Sequence, residues 1–179
     1  MAIIEPVPLD QLDPEKFQTR LELAQELMVP DSLFLQIMAH APGYAEALFD
    51  AMYQSHALGN VDHGLKEVIR VRLARLAKDE YFGSLRSKKA LDTGLTEARI
   101  EAGCGDFEND DQFSEAEKWA LTYAKLMYTE PTKVDTAFYD LGKTFYSEPE
   151  IMELGAFIAF HYGLQIFMRT LKVLPLNAA

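Results

Sequence analysis

Apolar positions along this chain recur at three- and four-residue spacing almost without interruption. The two-residue alternation of a half-buried strand is nearly absent. Breaks fall at Pro, Gly and Asp/Ser positions, the residues that start and stop helices. Asp13-Pro14 opens a helix toward Met28, with Pro at its first helical position. Pro30-Asp31-Ser32 opens a second, which Pro42 interrupts near His40. A third runs from Pro42 to Leu58 and stops at Gly59-Asn60. Asp62 caps a helix to Lys78, and Asp79 starts another that ends at Thr93-Gly94. Thr96 to Ala102 is a short helix, and Ser114-EAE is a capping box for a helix over Glu115–Tyr128. Val134–Phe145 and Glu148–Val173 complete an all-α reading of eight or nine helices with short connections.

The polar, acidic stretch Gly105-DFENDDQ separates two helical halves. Asp62-HGLKEVIRVRLARLA and Ser147-EPEIMELGAFIAFHY echo one another, each placing a glutamate (Glu67, Glu153) near the start of a strongly apolar helix. The chain therefore reads as one domain over residues 1–179. Its parts are N-terminal helices over 1–60, a central pair over 61–105 and a second half over 112–174. On the 62–78 helix, Leu65, Ile69, Leu73 and Leu76 form one apolar stripe, while Glu67, Val71 and Ala74 lie nearly opposite. A helix apolar on two faces is packed on both, which places Glu67 at least partly in the interior.

Composition narrows the function. At 179 residues and 49% hydrophobic, the chain can bury a core without disulfides or structural metal. A net charge of −11 argues against a nucleic-acid partner, which needs a basic surface to displace counterions. The basic residues Arg70, Arg72, Arg75, Lys78, Arg86, Lys88 and Lys89 cluster locally. They read either as solvated helix faces or as a positive field that attracts an anionic small-molecule substrate. One cysteine, Cys104, excludes an internal disulfide and predicts a reducing, cytoplasmic setting. The first residues, MAIIEPVPLDQLDPEKF, lack a signal-peptide pattern. The uncharged run Leu154–Met168 is shorter than the roughly 20 residues of a membrane span, so no membrane partner is expected. There is no metal-ligand spacing, no phosphate-binding glycine loop and no nucleophile elbow.

One spacing carries chemistry. Glu67 is followed by eleven residues, Asp79, two residues, Phe82, three residues and Arg86. This frame resembles the active-site stretch of the carboxymuconolactone decarboxylase and alkylhydroperoxidase D (AhpD-like) superfamily. In its redox members the stretch reads Glu, eleven residues, Cys, two residues, Cys, three residues, His. The segments Pro42-GYAEAL, Gly94-LTEARIEA, Phe113-SEAEKWAL and the Glu153 helix extend the resemblance over roughly residues 40–173. It implies an AhpD-like, all-α fold with two related helical halves and no cofactor. It also implies a homo-oligomer, trimer or hexamer, with sites near subunit boundaries. Asp79 and Phe82 replace both thiols and Arg86 replaces the histidine, so the dithiol peroxidase reaction is not expected. The lactone-decarboxylating members also carry a histidine where Arg86 stands.

Within that frame Glu67, Asp79 and Arg86 are the candidate catalytic residues, and Tyr81, Phe82 and His161 the candidate substrate-binding ones. Glu67 is either a general base or acid with a pKa raised by burial, or half of an ion pair with Arg70. Asp79 also suits a helix N-cap. Arg86 either clamps a substrate carboxylate or bridges to Asp79 or Glu67. Phe82 is a pocket wall or a core aromatic, and Tyr81 a hydrogen-bond donor or packing. His161, Gln165 and Arg169 form one polar row on the last helix, lining a cavity with Glu67, contacting another subunit, or bonded within the core. His63 beside the helix cap reads as structural, His40 and His56 carry no spacing signal, and Cys104 reads as a small inert thiol. The expected function is acid–base lyase or isomerase chemistry on a small carboxylate or lactone. The alternative is a non-catalytic, oligomeric or ligand-binding protein whose frame residues only join helices.

Overall fold

Residues 2–175 are described in the computed structural model. Among them are ten α-helices and no strand. They are α1 Pro14–Leu27, α2 Ser32–Met38, α3 Pro42–Met52, α4 His63–Ala77, α5 Glu80–Ser84, α6 Lys88–Asp92, α7 Glu97–Cys104, α8 Glu115–Thr129, α9 Thr136–Gly142 and α10 Glu148–Thr170. The expected caps are in place. Asp13, Asp31, Asp62, Asp79 and Thr96 each accept a backbone amide of the helix they open. Ser114 and Ser147 each form a capping box.

Two elements depart from the sequence reading. The third helix does not run to Leu58, because α3 gives way to a π-helical turn, Tyr53–Ala57, which holds His56. The helix expected from Asp79 to Thr93 is broken into α5 and α6 at Leu85-Arg86-Ser87. The break has a physical cause. The Ser87 amide leaves the helical ladder and donates to Glu67 Oε1 at 2.8 Å. Arg70 meanwhile takes the carbonyls of Phe82 (2.6 Å) and Leu85 (2.7 Å), which a continuous helix would have used itself.

Helix α4 is the axis of the molecule. It packs on α10, α7, α5 and α8, and every residue from Leu65 to Ala74 is buried. Its stripe of Leu65, Ile69 and Leu73 meets Trp119, Phe157 and Ile158 in one core cluster. Ala74, with Tyr81, Phe82, Phe34, Phe49 and Met168, forms the second. By length and composition α10 is apolar enough to cross a membrane, and its packing on α4 accounts for the same apolarity as core.

A helix buried on all sides must satisfy its charges internally. Lys66 donates to the carbonyls of Ser55 (3.0 Å) and Leu58 and to Glu153 Oε1 (2.9 Å). Arg72 donates to the Gly103 carbonyl at 2.8 Å and lies over the Phe107 ring. The local run of basic residues therefore divides: Arg75, Lys78, Lys88 and Lys89 are exposed, as a solvated face requires, whereas Arg70 and Arg72 are buried. Arg70 and Arg72 are interior caps, Arg75 pairs with Glu101, and Arg86 pairs with Glu97.

The echo between Glu67 and Glu153 has a structural counterpart. Each carboxylate is held by a cation from α4 and receives amides from a loop. Glu67 takes Ser87 N, and Glu153 takes Asn60 N (2.8 Å) and Val61 N. Gly59 sits under that second carboxylate at φ 97°, a left-handed conformation natural to glycine.

Candidate functional site

Glu67 lies in the interior of α4, with no exposed surface. Arg70, one turn on, grips it with both arms of its fork, Nε to Oε2 and Nη2 to Oε1, each at 2.8 Å. The π-helical turn brings His56 Nε2 to 3.0 Å from Oε2. With the Ser87 amide, three groups make four contacts to one carboxylate. Burial alone would raise the Glu67 pKa, but the Arg70 guanidinium overrides it and His56 adds to the effect. Glu67 is held well below the usual carboxylate range. It is thus an ionised, fully engaged anion, not the acid of raised pKa that burial by itself would give.

Three of the four histidines converge beside it. The rings of His56 and His63 are 4.6 Å apart, and those of His56 and His161 are 5.7 Å apart. His63 bridges the His56 carbonyl (2.7 Å) and the Ser87 hydroxyl (2.8 Å), which ties the π-helical turn to the α5–α6 break. Phe157 packs on both His56 and His161. Burial lowers the pKa of His56 despite the adjacent carboxylate. Burial and the neighbouring His56 push His63 down to about 4. His161 is held well below the usual imidazole range, by burial first and by His56 second. All three are therefore neutral at pH 7, with Glu67 anionic beside them.

His161 stands apart in one respect. It is 1% exposed, yet neither ring nitrogen has a hydrogen-bond partner among the described residues. The other two members of its polar row each donate to α4, although Gln165 Oε1 is itself buried and unpartnered. Gln165 donates to the Arg70 carbonyl at 3.1 Å, and Arg169 to the Ala77 carbonyl at 3.0 Å, so the row runs along α4.

The other candidates lie elsewhere. Asp79 caps α5 through Oδ2 to the Phe82 amide (3.2 Å), while its Oδ1 is buried and unpartnered. Burial pushes its pKa up to about 6. It borders a shallow cavity with Arg75, Lys78, Glu80 and Gly83, away from the histidines. Arg86 turns outward to Glu97 (2.7 Å) and to the Gly83 and Leu85 carbonyls, and touches neither Asp79 nor Glu67. Tyr81 is buried and donates to Asp31, and Phe82 packs on Tyr81 and Phe34. Cys104 lies half-buried at the end of α7 with its thiol pKa raised by burial.

Glu67 and His161 are thus brought together with His56, while Asp79 and Arg86 are not. The cavities bordered by Tyr123, Asp79, Phe138 and Val173 do not have Glu67 among their lining residues. His56 had no sequence signal because a π-helical turn breaks the 3.6-residue periodicity that would have placed it. Arg70 was visible as an i,i+3 neighbour of Glu67, but its double role as loop cap was not.

Among known proteins, no family model matches the chain, and neither does any curated protein. Solved structures do. A cysteine-to-alanine variant of the debrominase Bmp8 in complex with 2,3,4-tribromopyrrole aligns at a TM-score of 0.81 with 22% identity, over 99% of this chain and 94% of that one. An alkylhydroperoxidase AhpD-core, peroxidase-related protein from Ralstonia eutropha JMP134 aligns at 0.78 with 16% identity, over 97% and 92%. A peroxidase-related protein from Silicibacter sp. TM1040 aligns at 0.75 with 14% identity, over 98% and 89%. The chain therefore has an AhpD-like fold, as the spacing of its frame implied, and its single cysteine leaves no CxxC pair in it.

Proposed function

We propose that this protein is an acid–base catalyst of lyase or isomerase type. His161 exchanges a proton with a small molecule, and His56, backed by ionised Glu67, relays the charge. The observation that supports this reading is the unpartnered His161. A buried polar group without a partner costs about 1–3 kcal/mol, and an apolar side chain of similar size would avoid that cost. A neutral imidazole is a ready base at pH 7. Glu67 beside His56 Nε2 selects the tautomer with the proton on that nitrogen and stabilises the imidazolium when a proton arrives. His161 would take a proton from a carbon next to a carbonyl, leaving an enolate, and the imidazolium would return it to the same or a neighbouring carbon.

Arg86 is engaged by Glu97, so a substrate carboxylate is not required by this reading. A compact ring molecule with a proton on a carbon next to a carbonyl suffices, such as a lactone. Entry to His161 requires the π-helical turn to move, and such turns occur often at functional sites.

The test is deuterium incorporation at carbon, followed by mass spectrometry in heavy water, for carboxymuconolactone and the simple lactone γ-butyrolactone. The native protein should accelerate exchange, and His161→Ala should lower the rate by about 10²-fold or more. Equal rates in both would sink the relay. A second reading, a non-catalytic oligomeric or ligand-binding protein, is favoured by the full engagement of Glu67 with Arg70. It predicts no exchange with either compound.

A further inference from the structure

A second site lies nearer the N-terminal end of α10 than His161 does. The cleft between α8, α9 and α10 has a volume of about 500 Å³, within the roughly 300–1,000 Å³ of small-molecule sites. Its walls are mainly apolar, from Met127, Ile151, Met152 and Ala156. Its floor is Gly155, where a Cβ would come within 2.7 Å of the Tyr123 hydroxyl. The absence of a side chain there therefore keeps both the cleft and the hydroxyl open.

The polar feature of the cleft is a pair of phenols. The hydroxyls of Tyr123 and Tyr139 are 2.9 Å apart, and both residues line the cavity. Two hydroxyls carry two protons, and their mutual bond consumes one. No described residue accepts the other. Burial and Tyr139 push the Tyr123 pKa up, so Tyr123 keeps its proton as a donor. The Lys143–Glu148 ion pair at the rim, 3.0 Å between its ends, puts both signs of charge at the mouth and favours a neutral guest.

We infer that this cleft binds a small, neutral, planar aromatic molecule carrying a hydrogen-bond acceptor such as a ketone, which takes the spare phenolic proton while its ring lies against the apolar walls.

The experiment compares 2-acetylnaphthalene with 2-ethylnaphthalene, which has nearly the same shape and no acceptor, by calorimetric or NMR titration of the whole chain. The ketone should bind about fivefold more tightly, the worth of one neutral hydrogen bond. The double variant Tyr123→Phe/Tyr139→Phe should bring the two affinities together, since it keeps both rings and removes both hydroxyls. Ala156→Trp, at an exposed position of the wall, should block both compounds. His161→Phe should change neither affinity, which separates this site from the proton relay. Absence of binding, equal affinities in the native protein, or a preference that survives loss of both hydroxyls would overturn the inference. So would sedimentation in which Ala156→Trp splits a native oligomer that binds neither compound, because the face would then belong to a second copy.

Discussion

Replacing Arg70 with leucine tests the charge arrangement at the centre of α4. The side chain donates twice to Glu67 and once each to the Phe82 and Leu85 carbonyls, all within 2.8 Å and without exposure to water. Arg70→Leu leaves a buried carboxylate with only His56 and the Ser87 amide. Breaking a buried ion pair on one side costs about 3–5 kcal/mol, and the orphaned carbonyls lie within that range rather than adding to it. The pH dependence gives the mechanism away. In the native protein Glu67 is held below its unfolded pKa, so its contribution is present above the ordinary value of 4.5 and is lost as pH falls through the lower folded value. In Arg70→Leu the same carboxyl is raised above 4.5 by burial, so the folded variant gains protons first and recovers stability as pH falls. The gap between the two proteins should therefore shrink by about 1.4 kcal/mol per pH unit below the variant's raised Glu67 pKa. Urea unfolding at pH 7, 6 and 5, with matched slopes, measures it. A loss under about 1 kcal/mol, or one constant across that range, would refute the buried, charged Glu67–Arg70 pair.

Three further outcomes follow from the same geometry. His161→Phe removes two unpartnered nitrogens from the interior and should leave the melting temperature unchanged or raised while abolishing carbon–deuterium exchange, whereas a histidine kept for structure would destabilise on replacement. Arg86→Ala breaks a pair whose acid, Glu97, is 58% exposed, so it should cost less than about 1 kcal/mol in urea unfolding and leave the substrate KM unchanged, where a carboxylate clamp would raise KM. Gly59→Ala forces a Cβ into the Glu153 carboxylate from a backbone at φ 97° and should cost about 1–3 kcal/mol by thermal unfolding, because it displaces the ligand of buried Lys66.

The fold was largely legible in the sequence because helix caps are local. Asp13, Asp62 and Ser114 announced their helices through residues within one turn. The two-faced apolarity of residues 62–78 correctly placed α4 in the interior. What the sequence hid were interactions across distance. The α5–α6 break depends on Ser87 reaching back 20 residues to Glu67. The frame spacing suggested that Asp79 and Arg86 accompany Glu67. Instead Arg70, on the same helix, saturates that carboxylate, so Arg86 is left to the surface and Asp79 to its cap. His56 enters from a π-helical turn that no 3.6-residue pattern anticipates. The His161 row was visible as i, i+4 spacing, but that Gln165 and Arg169 donate to α4 while His161 bonds to nothing needed the packing of α10 on α4.

Histidine nitrogen chemical shifts between pH 8 and pH 5 test most directly whether an ionised Glu67 holds neutral imidazoles poised for proton transfer. His56 should be neutral at pH 7 and His161 should stay neutral well below that, with His56 protonated on Nε2 in the native protein and losing that tautomer preference in Glu67→Gln. An imidazolium at either position above pH 7, or a His56 tautomer indifferent to Glu67→Gln, would contradict the relay.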